Sequence, residues 1–281
     1  MTVRGAIARR LRPSFYSELI TMERSDRLLY LIDYLLKESD TKIALPQSDG
    51  ARARLLRALL NVRPPIPAAD EFLSVQDEYL REEIFRMGIT RLADIQPVEP
   101  DLYIRRGDIV TLACDGIVNA ANSAMLGCFC PNHGCIDNAV HTFAGVQLRA
   151  ECAEIMRKQG HDEPTGRAKA TGAYNLPCKY VLHTVGPIYG SAPPDRLDAE
   201  LASCYNACLA LADKLGLSSL AFCCISTGEF GFPNARAAKI AVETVKGYKR
   251  RTGSLIKIIF NVFKEIDHEI YSRLLGAGRR A

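Results

Sequence analysis

No run of 18 apolar residues occurs in the chain, so no helical membrane span is expected. No secretory hydrophobic region stands at its start, and there is no internal repeat or low-complexity tract. Charge of one sign is also scarce: 36 Lys and Arg against 32 Asp and Glu leave a formal net charge of +4. That balance suits an anionic ligand but falls far short of the footprint of a dedicated nucleic-acid binder. A basic stripe interleaved with aromatics is missing too. Neither a membrane nor a nucleic acid is therefore an expected partner. Cysteine, by contrast, is plentiful, with ten residues in 281. In a long chain without a leader these read as reduced thiols, and the cytoplasm is the expected location. Arg4, Arg9, Arg10 and Arg12 precede any acidic residue, which leaves an organellar transit peptide as the alternative. Cys152, Cys204, Cys208, Cys223 and Cys224 fall within apolar helical or strand patterns and read as core.

Three of the remaining five thiols fall in one stretch, Cys128-Phe129-Cys130-Pro131-Asn132-His133-Gly134-Cys135-Ile136-Asp137-Asn138-Ala139-Val140-His141. Pro131 and Gly134 turn the backbone so that side chains can converge. Thiolate and imidazole are the ligands zinc prefers, and three protein ligands leave a fourth position for water or substrate. Common zinc-finger spacings do not fit the stretch, and a loop of buried thiols is the alternative.

Two further segments each set an apolar strand directly before a turn of small or amide residues. One runs from Arg106-Gly107-Asp108-Ile109-Val110 into Asp115-Gly116-Ile117-Val118-Asn119-Ala120-Ala121-Asn122-Ser123. The other is Ile225-Ser226-Thr227-Gly228-Glu229-Phe230-Gly231-Phe232-Pro233, where Pro233 and Asn234 open a helix. Backbone N–H groups at such a turn point outward and bind phosphate.

The first hundred residues read as helices. Leu28, Leu31, Ile32, Leu35 and Leu36 repeat at helical spacing behind Ser25-Asp26, and Leu55, Leu56, Leu59 and Leu60 repeat before Pro64-Pro65. A third helix is predicted from Asp70 to about Met87, with Gly88 as its stop. Residues 89–100 are expected to be a connection. From Leu102 onward strands are predicted at 102–106, 116–121, 179–185, 218–225 and 255–262. Helices are predicted at 138–157, 198–215, 234–248 and 265–275. Alternating strands and helices give an α/β class with helices on both faces of a sheet. Ligand loops in such folds lie at the carboxyl ends of parallel strands.

Gly107-Asp108-Ile109, Asn119-Ala120-Ala121-Asn122, Asp137 with Ala139-Val140-His141, the strand from Tyr180 to Pro187 and the loop Ser226 to Pro233 occur in an order that resembles the macrodomain family, which binds ADP-ribose. The Cys/His insertion narrows the resemblance to the zinc-containing macrodomains that act as protein-ADP-ribose hydrolases. It covers roughly residues 100 to 276. It implies a mixed central sheet with flanking helices, residues 96–281 forming the macrodomain and residues 1–95 a helical N-terminal extension. It implies Zn²⁺ on Cys128, His133 and Cys135, with Cys130 at a variable position, either a spare thiol or a replacement ligand. By the same resemblance Asp108 accepts from the adenine amino group and Ile109 approaches the ring. Asn122 contacts the distal ribose, and Ser226, Thr227, Gly228, Glu229, Phe230 and Gly231 surround the diphosphate. Glu229 is unexpected beside phosphates and is expected to point away; Phe263 is a candidate to flank adenine. Asp137 matches the acidic residue of hydrolytic macrodomains, with Asn138 standing where zinc-free hydrolases have glycine.

On the residues alone, Asp108 reads as a turn cap and Asp137 equally as a helix N-cap. Asn119, His141 and His183 read as structural, and His161 and His268 carry no signal. The implied activity is removal of mono-ADP-ribose from modified proteins, with Asp137 and Asn122 as the catalytic side chains. The alternative is a non-catalytic ADP-ribose reader with a structural zinc.

Overall fold

A computed structural model describes residues 22–276 of the chain; Arg4, Arg9, Arg10 and Arg12, and with them the transit-peptide alternative, lie outside the described residues. Helices α1 (Arg24–Glu38), α2 (Asp49–Val62) and α3 (Asp70–Met87) come first. Their leucine stripes meet one another: Leu28, Leu31, Leu35, Leu56, Leu60, Phe72, Val75 and Leu80 share one apolar core. Ser48 caps α2, its Oγ accepting from Ala51 N–H, a contact worth about 1 kcal/mol. Pro64 and Pro65 end it as expected. Arg63, at the end of α2, donates from Nε and Nη2 to the Glu38 carboxylate at 2.7 and 2.8 Å and so ties α2 to α1.

The expected connection over 89–100 holds two short strands instead. They are β1 (Thr90–Arg91), which pairs with β4 (Leu112–Ala113), and β2 (Pro97–Glu99), which adds to the edge of the main sheet. β3 (Leu102–Arg106) and β5 (Gly116–Ala121) keep their predicted bounds. β7 (Tyr180–Val185), β8 (Ser219–Phe222) and β9 (Lys257–Val262) are shorter than predicted, and β6 (Ala168–Gly172) was not predicted at all. The sheet order is β2-β3-β9-β8-β5-β7-β6. The five inner strands run parallel, and the two edges, β2 and β6, antiparallel. The sheet is therefore mixed, as expected.

The helix predicted over 138–157 is two helices, α4 (Ile136–Ala144) and α5 (Val146–Gln159). Gly145 separates them at φ 98°, where a Cβ would stand 2.6 Å from Gln147 Oε1 and Gln76 Nε2. α6 (Pro194–Lys214), α7 (Asn234–Thr252) and α8 (Glu265–Leu274) complete the fold. The core of this second region combines sheet residues such as Ile117, Val118, Leu182, Leu220 and Ile258 with helix residues such as Leu148, Leu201 and Val245. Because the inner strands are parallel, the segments that follow β3, β5, β7, β8 and β9 all emerge at one end of the sheet.

Candidate active site

Four of these segments build the site. Gly107 N–H donates to Val262 O at 3.0 Å and Asn261 Nδ2 donates to Gly107 O at 2.9 Å, which locks the turn after β3 to the end of β9. Asp108 then caps a 3₁₀ turn, Ile109–Thr111, its Oδ1 accepting from Val110 N–H at 3.2 Å. The cap reading of Asp108 holds, and Oδ2 accepts nothing among the described residues. Ile109 is buried in the core. Phe263, directly after β9, is 71% exposed.

The loop after β8 is tied down at both ends. Phe232 N–H donates to Ser226 O, Thr227 N–H and Oγ1 donate to Cys224 O, and Tyr189 N–H donates to Phe230 O. Ser226 adopts φ 65°, and its buried Oγ has no hydrogen-bond partner among the described residues. The backbone N–H groups of Gly228, Glu229 and Phe230 also donate to nothing among the described residues. A run of free N–H groups at such a turn is an anion-binding concavity. The Glu229 side chain reaches the Cys/His loop, its Oε1 3.4 Å from His133 Nε2. The diphosphate-type loop and the Cys/His loop therefore touch through this pair.

Asp137 does not cap α4. Cys135 does, its Sγ accepting from Asn138 N–H at 3.4 Å, which corrects the N-cap reading. Asp137 is the second helical residue, and its buried carboxylate faces the end of β5. There Asn119 Nδ2 donates to Oδ1 at 2.8 Å and Asn122 Nδ2 to Oδ2 at 3.3 Å. Burial pushes the Asp137 carboxyl up to about 6, against the lowering effect of the Asn119 hydrogen bond. Asn122 also donates to Gly127 O at 3.0 Å, while its own Oδ1 is buried without a partner. Asn119, read as structural, is thus the residue that fixes the acid.

Cys128, His133 and Cys135 offer three ligand atoms, all within 4.8 Å of one another. Cys128 Sγ stands 3.5 Å from His133 Nδ1. Zn–S and Zn–N bonds of about 2.3 and 2.1 Å at a tetrahedral angle span an edge of about 3.6 Å, so this pair already has the spacing of two zinc ligands. The donor set of two thiolates and one imidazole is the borderline-soft set zinc takes. Cys130 is exposed and stands outside the group.

A second cluster, His141, Cys152 and His183, is fully buried. His183 is engaged at both nitrogens, Nδ1 by Asn119 at 3.2 Å and Nε2 by Thr171 Oγ1 at 3.0 Å, which makes it the hydrogen-bonded core histidine expected. His141 Nε2 lies 3.6 Å from Asp137 Oδ1, and its ring lies against Gly127, where a Cβ would come within 2.7 Å.

The Macro domain family matches residues 118–241 of the chain. A protein of Treponema medium named protein-ADP-ribose hydrolase is 54% identical over 91% of this chain and all of its own length. A protein of Staphylococcus aureus (strain MRSA252) with the same name is 49% identical over 87% of this chain and 93% of its own. Among solved structures, the Oceanobacillus iheyensis macrodomain, in a mutant form with ADPR, is 33% identical; it covers 66% of this chain and 98% of its own, with a TM-score of 0.60. The Trypanosoma brucei macrodomain in complex with ADP-ribose is 27% identical over 94% of this chain and 96% of its own, with a TM-score of 0.59. A mixed sheet whose phosphate-type loop and acid-bearing helix meet at the carboxyl ends of parallel strands defines a macrodomain fold preceded by three helices. The chain belongs to the macro domain family, alongside relatives named protein-ADP-ribose hydrolase.

Proposed function

We propose that this chain is a zinc-dependent hydrolase that removes mono-ADP-ribose from modified proteins. The observation that carries the reading is the convergence at one sheet end of the free N–H groups of Gly228 to Phe230, the Asn122–Asp137 pair and the Cys128/His133/Cys135 group. The names of the relatives supply the substrate class.

In this reading the loop Ser226 to Gly231 receives the diphosphate on its backbone donors. Asp108 holds the adenine amino group through Oδ2, since an ionised carboxylate only accepts. The unpartnered Oδ1 of Asn122 accepts from a distal-ribose hydroxyl, and Phe230 packs near that ribose. Asp137, oriented by Asn119 and Asn122, accepts a proton from the attacking water as the bond between ribose and side chain breaks, and returns that proton to the leaving side chain. Cys128, His133 and Cys135 would hold zinc, which when bound polarises a ribose oxygen or lowers the pKa of a water. The His133 ring is suited to ligate through Nδ1, with its Nε2 3.4 Å from Glu229 Oε1, so that a carboxylate stands beside the ligand's outer nitrogen.

A structural zinc in a non-catalytic reader is closed by four protein ligands; here three converge among the described residues, with Cys130 outside, which favours the catalytic reading. The location in this reading is the cytoplasm, and no described helix is long and apolar enough to cross a membrane. Residues 96–281 serve as the catalytic macrodomain and 1–95 as its extension. The test is release of ADP-ribose from a defined mono-ADP-ribosylated protein by zinc-loaded chain, with the reader reading predicting tight ADP-ribose binding and no release.

A further inference from the structure

The metal loop is not held by the macrodomain alone. Arg57 of α2 donates from Nε and Nη2 to Asn138 Oδ1 at 3.1 and 2.8 Å, and from Nη2 to His133 O at 3.1 Å. One turn later Asn61, buried, accepts from Asn132 N–H on its Oδ1 at 2.9 Å and donates from Nδ2 to Thr142 Oγ1 at 2.9 Å. Asn138 passes the contact on, its Nδ2 donating to Cys130 O at 3.0 Å. Arg149 of α5 closes the arrangement. It donates from Nε to Leu126 O at 2.7 Å and from Nη1 to Leu60 O and Arg63 O at the end of α2, and its guanidinium lies 4.3 Å from the centre of the Phe129 ring.

Leu126 O, Cys130 O, Asn132 N–H and His133 O are backbone groups of residues 126–133, the segment between and beside the ligands. A loop carrying Met125 at φ 57° and Asn132 at φ 55° has little regular structure of its own to fix it. A fork of Arg57 over one amide and one carbonyl fixes both position and direction, which a lysine's point charge does not. A glycine at position 138 could not make the bridge.

We infer that the helical extension is a positioning element for the metal centre: Arg57 and Asn61, acting through Asn138 and the loop backbone, hold Cys128, His133 and Cys135 in ligating arrangement. The inference rests on the zinc reading above. Outer partners of metal ligands typically change metal affinity about tenfold to a hundredfold when removed.

Zinc affinity of the full chain is measured by competition with a chromophoric chelator for wild type, Arg57→Ala, Asn138→Ala and the double variant, with circular dichroism and melting temperature recorded for each. Each single variant is expected to bind zinc about tenfold to a hundredfold more weakly. The double variant is expected to lose less than the product of the two single losses, because the Arg57–Asn138 bonds are common to both while the bonds to His133 O and Cys130 O are not. Activity lost at low zinc should return when zinc is raised, a response that general loss of packing does not give. If Arg57→Ala unfolds, Arg57→Lys, which keeps the aliphatic stem and charge but not the fork, takes its place. A folded variant with wild-type zinc affinity overturns the positioning role while leaving the zinc reading intact. Wild-type chain that takes up no zinc overturns both.

Discussion

Asp108 offers a separation of roles within one carboxylate. Oδ1 is committed to Val110 N–H at 3.2 Å, and the proposed adenine contact falls to Oδ2. Asp108→Ala removes both, and loss of a capping bond costs about 1 kcal/mol of stability in addition to any loss of binding. Asp108→Asn keeps an oxygen for Val110 and replaces the other with an NH₂ group. That donor would face the adenine amino donor, so the favourable bond is lost and a clash of donors takes its place. A charge-assisted hydrogen bond is worth about 1.5–3 kcal/mol, or roughly tenfold to a hundredfold in affinity. Calorimetry with ADP-ribose should therefore show at least that weakening for Asp108→Asn, with a melting temperature close to wild type. A hypoxanthine analogue, whose six-position carbonyl accepts, should lose affinity on wild type and regain it on Asp108→Asn. Unchanged ADP-ribose affinity in the Asn variant would remove Asp108 from the adenine site, whatever the Ala variant does.

Asp137→Ala should slow release of ADP-ribose by about 10²–10⁴-fold while ADP-ribose affinity changes far less; equal losses in both would make Asp137 a binding residue only. Elemental analysis should find about one zinc per wild-type chain, as one three-ligand site implies, none in Cys135→Ala and the full complement in Cys130→Ala. Loss of metal from Cys130→Ala would mean that Cys130 is a ligand. His183 is lowered from its ordinary 6.5 to about 4 by burial. The unfolded chain therefore takes up a proton below pH 6.5 that the folded chain refuses until about pH 4. Its contribution to stability is complete above pH 6.5 and falls by about 2 kcal/mol by pH 5. Urea midpoints at pH 7 and pH 5 should differ less in His183→Gln than in wild type, and identical shifts would refute the assignment.

Much of the fold could be read from local pattern. α3 begins at Asp70 and ends at Met87 where its stripe and Gly88 said it would, because Gly88 at φ 87° terminates it locally. β3 and β5 were legible because each sets apolar β-favouring residues, Tyr103 and Ile104 in one and Ile117 and Val118 in the other, ahead of a turn. β6, Ala168–Gly172, was not, since Ala-Lys-Ala-Thr-Gly has little strand propensity and is held by its antiparallel pairing with β7. The break at Gly145 was missed because the apolar spacing runs on through it; only the side chains of Gln76 and Asn175 packed against the glycine reveal why it is there. In the site, the choice of Cys128, His133 and Cys135 from three cysteines and two histidines came from the family resemblance, since no common zinc-finger spacing fits the stretch; the cap on α4 could not be read locally, and the pull of Asn119 and Asn122 on the Asp137 carboxylate decides it for Cys135. The contacts of Arg57 and Asn61 span 71 to 81 residues of sequence and leave no local pattern.

The central claim is that the chain hydrolyses the bond between ADP-ribose and protein with the help of zinc on Cys128, His133 and Cys135. Its most direct test is single-turnover release of ADP-ribose from a defined mono-ADP-ribosylated protein, run on as-purified, chelator-stripped and zinc-reloaded chain, with metal content and circular dichroism measured on each sample. Release by the first, none by the second and recovery in the third is the expected result. Full release by a folded chain verified to be free of zinc would contradict it.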